Sequence, residues 1–558
     1  PHITKSEYVG DWTDLLPNKA GDGVWIPEDQ FTVECKDPKL KEKEAKKRNQ
    51  FHTNYYAHFG DRPNKTFTPA DGQLSLDIMV IDSTALNQFK RHMKKSWNIF
   101  IQSTALSQFR RHARKSWKYM TEFLGFEWLE GFNKVADNSE VNLIPLLAGL
   151  RYENQSSDMP SDIMPERYND TLLELETLNY IWDEYKKQGC VTMLNDAIGH
   201  FSRGLFHYPW KQNKGWKVKP TEYYFRPWYV NIYKNMVEKG SAFCVGNYPL
   251  YKLHYNLFEG FINKFADRCH FSFNFFTQLT HNDPNPIELF DDELFEMLRS
   301  FYLTGKLENT ALVIMGDHGN RISTIRASFT GRFEERLPLF ALYLPEKFRS
   351  AHPDWVRNFR LNRFRLSSNF DAYQTLMDVA QYGKSPRVER SQRGQSLFTP
   401  LSKDRTCRDA AVPENHCTCL VPGRKVRNER AADLLAAQKL LKQAVARLMT
   451  GPRCQRGKIE LKIESQKVWT QSQMVRHGLR TQGPEWIDLL KAVAATEIDY
   501  IELKATVIPY DLRILARVQN EKRYPSRMKM NVEPLILSGQ ESYGCKGAKT
   551  LDEFCNYC

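Results

Sequence analysis

The chain has 558 residues, is 41% hydrophobic and 13% aromatic, and carries a formal net charge of +13. That length exceeds what one hydrophobic core usually serves, so two or three domains are expected. No run of about 18 apolar residues is present to span a membrane. No arginine-rich run interleaved with aromatics, zinc-finger spacing or RNA-binding signature points to nucleic acid. The basic excess, over residues 36–47, 90–118 and 424–480, favours anionic partners or is simply a solvated face.

Residues 1–70 are polar and turn-rich and read as an N-terminal arm lying on the next domain. From 71 to 400, apolar strands alternate with helical patterns, which is the α/β signature. The first strand, Leu76 to Ile81, ends at Asp82. Within 81–120 a segment is duplicated. Ile81 to Trp97 recurs as Ile101 to Trp117, identical at 12 of 17 positions. Solenoids need three or more repeats, so a local duplication is the better reading, with the second copy an inserted helix. That copy has Gln102 where the first has Asp82.

Asp137-Asn138-Ser139 then opens an apolar helix, with Asn142 one turn on. Asp291 to Leu303 reads as a helix with Leu294, Phe295, Leu298, Phe301 and Tyr302 on one face. Ala311 to Met315 is uncharged and unbroken, as a strand buried on both faces reads. It runs into Gly316-Asp317-His318-Gly319, whose glycines allow a tight turn. Asp371 to Tyr382 reads as a helix started by Asp371 and stopped by Gly383. Residues 401–558 form a smaller cysteine-containing α+β domain. Its helix is Asn428 to Met449, and its exposed strands run over 457–464 and 498–509.

Eleven cysteines are present. Cys555-Asn-Tyr-Cys558 is the only Cys-x-x-Cys spacing, so disulfides closing surface loops are expected rather than a metal knuckle. Sequons at Asn64, Asn154 and Asn169 add to this and favour the secretory pathway, extracellular or lumenal. A signal peptide or N-terminal membrane anchor preceding Pro1 fits that expectation.

Two acids at the ends of two buried strands, Asp82 and Asp317, can converge on one metal, with His318 as a nitrogen ligand. Each acid also reads as a plain helix cap. Ser139 at a helix N-terminus sits where unpaired N–H groups favour phosphate or sulfate, and it equally reads as an ordinary N-cap.

Taken together, Asp82, Ser139 and Asp317-His318-Gly319 resemble the alkaline phosphatase and sulfatase superfamily. Ser139 precedes Gly149 by ten residues, as the sulfatase nucleophile precedes its glycine. Asn369-Phe-Asp371-Ala-Tyr-Gln-Thr375-Leu is similar to the superfamily's Asp-x-x-Pro-Thr-Leu helix. More narrowly, the chain resembles the animal sulfatase-like family catalogued as domain of unknown function 229. The resemblance rests on Gly131 to Ser139, Trp182 to Thr192, Thr280-His281, Gly316 to Gly319, Gly331 to Pro338 and the terminal Tyr543-Gly-Cys545 with Cys555 to Cys558.

The resemblance implies an α/β fold, a mostly parallel sheet sandwiched by helices. It implies a metal-dependent hydrolase or transferase acting on a phosphate or sulfate ester. Asp82, Asp317 and His318 would hold one divalent ion, calcium, manganese, magnesium or zinc. Ser139 would be both metal ligand and nucleophile, and His281 would contact substrate or protonate the leaving group. Asn142, Arg321 and Arg332 are the substrate-binding candidates, for an anionic ester such as a glycan or lipid head group. Ser139 lacks the Pro and Arg of the sulfatase nucleophile motif, so formylglycine chemistry is not expected. Asn195 and Asn282 stand where the family carries acids. The alternative is therefore a non-catalytic glycan- or protein-binding module on the same fold. The two readings separate on whether Asp82, Asp317 and His318 meet near Ser139.

Overall fold

In the computed structural model the described residues run from 26 to 555, apart from stretches of which 36–51, 87–114, 153–167, 208–214, 383–392, 419–430 and 471–497 are the longest. Residues 87–114, most of the duplicated segment, lie outside the described residues, as do Asn64 and Asn154.

The central sheet has seven strands: β1 (Ser75–Ile81), β2 (Glu127–Trp128), β3 (Val191–Asp196), β4 (Tyr223–Tyr224), β5 (His270–Phe276), β6 (Thr310–Met315) and β7 (Phe340–Tyr343). Their order is β2-β7-β6-β1-β5-β3-β4. The five strands from β6 to β4 are parallel, whereas β7 and β2 join antiparallel. Every residue of β1, β5 and β6 is buried. That is why these strands read as apolar runs rather than as alternating patterns.

Successive residues still serve different cores. Leu76, Ile78 and Val80 of β1 join Val313 and Phe273 in one cluster, while Met79 and Ile81 join Ile314 in the other. Helices α1 (Ser139–Ala148) and α5 (Asn369–Ala380) cover the first face. Helices α2 (Leu250–Phe265) and α3 (Asp291–Leu303) cover the second. The expected mostly parallel sheet between helix layers is thus observed, and α3 spans the residues expected of it.

Helix α5 starts earlier than its sequence suggested. Ser368 is the N-cap, and its N–H donates to Asp371 Oδ2 at 2.8 Å, so Asp371 is the third helical residue rather than the cap. Asp371 is buried and takes both arms of Arg405, each at 2.8 Å.

A second sheet lies near the C-terminus: β8 (Glu460–Thr470), β9 (Ile498–Ile508), β10 (Leu512–Glu521) and β11 (Leu535–Ser538), antiparallel in that order. Ala437, Leu441 and Val445 of α6 (Ala431–Leu448) pack with Leu503, Ala505, Ile514 and Val518 of this sheet. Gln30–Cys35 and His52–Ala57 form a separate antiparallel pair. Gln30 Nε2 donates to the Tyr224 carbonyl at 2.6 Å and thereby ties that pair to β4.

Three disulfides are present among the described residues: Cys190–Cys269, Cys407–Cys417 and Cys454–Cys555. The second closes a short loop, as expected. Cys555 pairs across 101 residues and so is no half of a metal knuckle. The first joins the residues that precede β3 and β5, a pairing set by strand order rather than by spacing. No helix among the described residues is long and apolar enough to cross a membrane.

Candidate metal centre

Strands β1 and β6 are parallel neighbours, Ile78 beside Val313. Their carboxyl ends therefore lie at the same edge of the sheet, where such folds bind ligands. Asp82 leaves β1 and Asp317 follows β6 by two residues. Asp82, Asp317 and His318 converge there, each offering a ligand atom within 4.8 Å of the others, and all three are buried.

The local chain conformations explain the convergence. A Cβ on Gly316 would meet the Thr84 carbonyl oxygen at 2.1 Å, and one on Gly319 would meet that of Glu334 at 1.9 Å. Only glycine lets the two loops approach so closely. Ser83 adopts a left-handed φ of 56°, uncommon for a side-chain-bearing residue. In that conformation its N–H donates to Asp317 Oδ1 at 2.9 Å and its hydroxyl to Asp82 Oδ1 at 2.8 Å. The His318 N–H also donates to Asp317 Oδ1, at 2.8 Å. Oxygen Oδ1 is thus occupied, and Oδ2 is left.

His318 Nδ1 lies 2.9 Å from the Gly319 carbonyl oxygen. A carbonyl only accepts, so Nδ1 carries the ring proton. Burial lowers the imidazole to a pKa of about 4, so it is neutral at pH 7 and Nε2 presents a bare lone pair. That nitrogen stands 3.3 Å from Asp317 Oδ2, and neither atom has a hydrogen-bond partner. Burial, with the neighbouring Asp317 charge added, pushes Asp82 well above the usual carboxylate range. Two buried acceptors face to face beside a second carboxyl are costly without a cation. One divalent ion with oxygen and nitrogen ligands resolves all three problems. The residues fit such a group.

Ser139 is the first residue of α1. Asn138, extended at φ −96°, is the N-cap, so the reading of Ser139 as a cap is corrected. The Asp137–Asn138 turn is clasped by the loop that carries Asp317 and His318. Arg321 Nη1 lies 3.2 Å from Asp137 Oδ2 and 2.6 Å from Asn138 Oδ1. Glu140, next to Ser139, is near enough for its charge to raise Asp82.

Asn142 holds the turn before Ser139. It is fully buried, accepts from the N–H groups of Val135 and Ala136, and donates to the carbonyls of Ala136 and Asn138. Its amide is spent on folding the turn before Ser139. His281 is exposed, with Nδ1 2.7 Å from Asn282 Oδ1. The preceding Thr280 donates its hydroxyl to the Asp82 carbonyl, which fixes the His281 turn beside β1. Arg332 lies in α4 (Phe329–Arg336), and its side chain is outside the described residues.

Asn195 stands below the site. It donates to Asn274 at 3.0 Å and accepts from the Tyr229 hydroxyl at 2.6 Å, a structural bridge between β3 and β5. Four supporting residues were not among the expected site residues: Ser83, Lys134, Thr280 and Glu335. Lys134 is fully buried against the Glu335 carboxylate 201 positions away.

Fold and site together define an α/β protein with a buried metal-ligand cluster at the carboxyl ends of parallel strands. The chain belongs to the family described as "Protein of unknown function (DUF229)", whose profile matches residues 99–461. That is the family its motifs resemble. No curated protein matches the chain. Among solved structures it is similar to a protein in the alkaline phosphatase superfamily from Vibrio parahaemolyticus, at 12% identity and TM-score 0.37, over 62% of this chain and 76% of that one. It is also similar to the C-terminal periplasmic domain of EcEptC from Escherichia coli, at 12% identity and TM-score 0.37, over 60% and 89%. A putative sulfatase from Bacteroides thetaiotaomicron matches at 10% identity and TM-score 0.34, over 82% and 87%.

Proposed function

We propose that the protein is a metal-dependent hydrolase or transferase acting on a phosphate or sulfate ester. One observation carries the reading. Asp82 meets the distant pair Asp317 and His318 in a buried cluster in which Asp317 Oδ2 and His318 Nε2 lack any other partner. A binding module with no metal has no use for two orphaned acceptors held at that cost. A bound divalent ion would neutralise the ester's charge and lower the pKa of a nearby hydroxyl.

The chain's own residues supply the rest. Ser139, at the N-terminus of a ten-residue helix, is the nucleophile, and the helix's free N–H groups favour an anion there. His281, exposed beside the cluster, donates a proton to the leaving group. The ester belongs to an anionic substrate such as a glycan or a lipid head group. The disulfides support folding in an oxidising compartment, hence a secreted or lumenal protein.

The test combines elemental analysis of the purified chain with turnover of aryl phosphates, phosphodiesters and aryl sulfates. The expected result is about one divalent ion per chain and turnover of one ester class that Ser139→Ala abolishes. A metal-free, inert protein that Ser139→Ala leaves unchanged would overturn the proposal.

A further inference from the structure

The loop that carries Asp317 and His318 and the turn that carries Ser139 are joined by a closed ring of contacts. Gly319 N–H donates to the Glu335 carbonyl oxygen at 3.1 Å. The Glu335 carboxylate pairs with the Lys134 ammonium. Lys134 Nζ lies 3.4 Å from Asp137 Oδ1, and Asp137 Oδ2 lies 3.2 Å from Arg321 Nη1. Arg321 is two residues beyond Gly319, where the ring closes. A branch leaves it at Arg321, which also binds Asn138, the neighbour of Ser139, at 2.6 Å.

Each charge in this ring is shared. Asp137 lies between two cations, and Lys134 lies between two carboxylates. The side chains of Lys134 and Glu335 are 0% and 6% exposed, so neither is compensated by water when a partner leaves. At the Gly319 end backbone packs directly on backbone, because the Glu334 carbonyl fills the space a Cβ would need. The ring gives a displacement of the Asp317–Arg321 loop a contiguous path to Asp137 and Asn138.

We infer that Arg321 and Asp137 are positioning residues. They couple occupation of the Asp82–Asp317–His318 cluster to placement of Ser139. The Arg321 Nη1 atom is engaged by both Asp137 and Asn138. Both contacts keep it on the nucleophile turn, one residue from Ser139. The inference rests on the metal reading of the cluster.

The test uses the full chain with Mn2+ as probe and reads backbone hydrogen exchange as well as turnover. In the parent, Mn2+ should slow exchange over 317–320 and also over 135–142, by about fivefold or more. In Arg321→Met and in Asp137→Asn, the slowing over 317–320 should remain while that over 135–142 is lost. With an aryl ester, kcat should fall about tenfold to a hundredfold at a KM within about threefold of the parent. Arg321→Lys, which keeps the charge, should recover part of kcat. A melting temperature near the parent's separates this result from misfolding. Retained Mn2+ protection over 135–142 in both variants would overturn the coupling alone, as would a raised KM at unchanged kcat, which is the signature of a substrate clamp. An absence of any Mn2+ effect on the parent would overturn the metal reading, and the coupling with it.

Discussion

Gly316 and Thr84 touch backbone to backbone. The Gly316 N–H and the Thr84 carbonyl oxygen bond to opposite sides of Leu339, and a Cβ on Gly316 would lie 2.1 Å from that oxygen. Three segments, 82–86, 316–319 and 334–339, are thereby locked at one corner of the sheet. A Gly316→Ala variant must part them. Destabilisation of about 1–3 kcal/mol is expected from the forced shift, with Mn2+ affinity at least about tenfold weaker. Thermal unfolding and calorimetric titration measure the two effects.

Asp317 and His318 should fail together as ligands. Asp317→Asn removes the charge while keeping the shape, and the purified variant should retain no divalent ion after dialysis, as shown by elemental analysis. In the parent, Mn2+ at about a hundred times its Kd should stabilise the fold by about 2.7 kcal/mol over the chelated protein. Asp317→Asn should show no such shift.

Ser139→Ala should separate chemistry from structure. Ser139 is the first helical residue and not the cap, so its loss should change stability by less than about 0.5 kcal/mol. Metal content should match the parent. Turnover should fall by about a thousandfold or more, as for a lost nucleophile. A variant with the parent's kcat would remove Ser139 from that role.

Arg405 and Asp371 should behave as a buried ion pair broken from one side. Arg405→Met leaves the Asp371 carboxylate, fully buried, with only backbone donors. A loss of about 3–5 kcal/mol is expected in chemical unfolding, more than for Asp371 and Arg405 exchanged together for apolar residues.

His254 predicts the acid limb of stability. Neither ring nitrogen has a partner, Tyr229 packs edge-on at 4.3 Å, and burial alone lowers its pKa to about 3. An unfolded histidine titrates near about 6.5. The folded pKa is the depressed one, so the contribution is complete above pH ~6.5 and is lost as pH falls towards 3. Between about pH 6 and 4, His254→Leu should flatten the pH dependence of unfolding free energy by about 1.4 kcal/mol per pH unit. Urea unfolding at several pH values reads the difference. Equal slopes in parent and variant would contradict it.

Much of the frame was legible because burial on both faces leaves a plain mark in sequence. The apolar runs ending at Ile81 and Met315 predicted two parallel strands, and with them the edge at which Asp82 and Asp317 meet. What contacts made only in the folded chain decide was not legible. Asn142 read as a substrate contact because its four backbone partners exist only once the 135–138 turn has folded. Asp371 read as a cap because Ser368, three residues before its expected start, carried no weight without the helix register. Lys134 had no role of its own in the sequence, since its carboxylate partner stands 201 positions away.

The Cys190–Cys269 bridge has a consequence for the history of the molecule. It closes a span of 79 residues, and such a crosslink lowers the entropy of the unfolded chain by an amount worth about 4.5 kcal/mol. The two cysteines are 5% and 0% exposed, at the end of the sheet away from Asp82. Thiols in solution reach the bridge only when the sheet opens. Once sealed, it records the redox conditions under which the chain folded and is blind to those it meets afterwards.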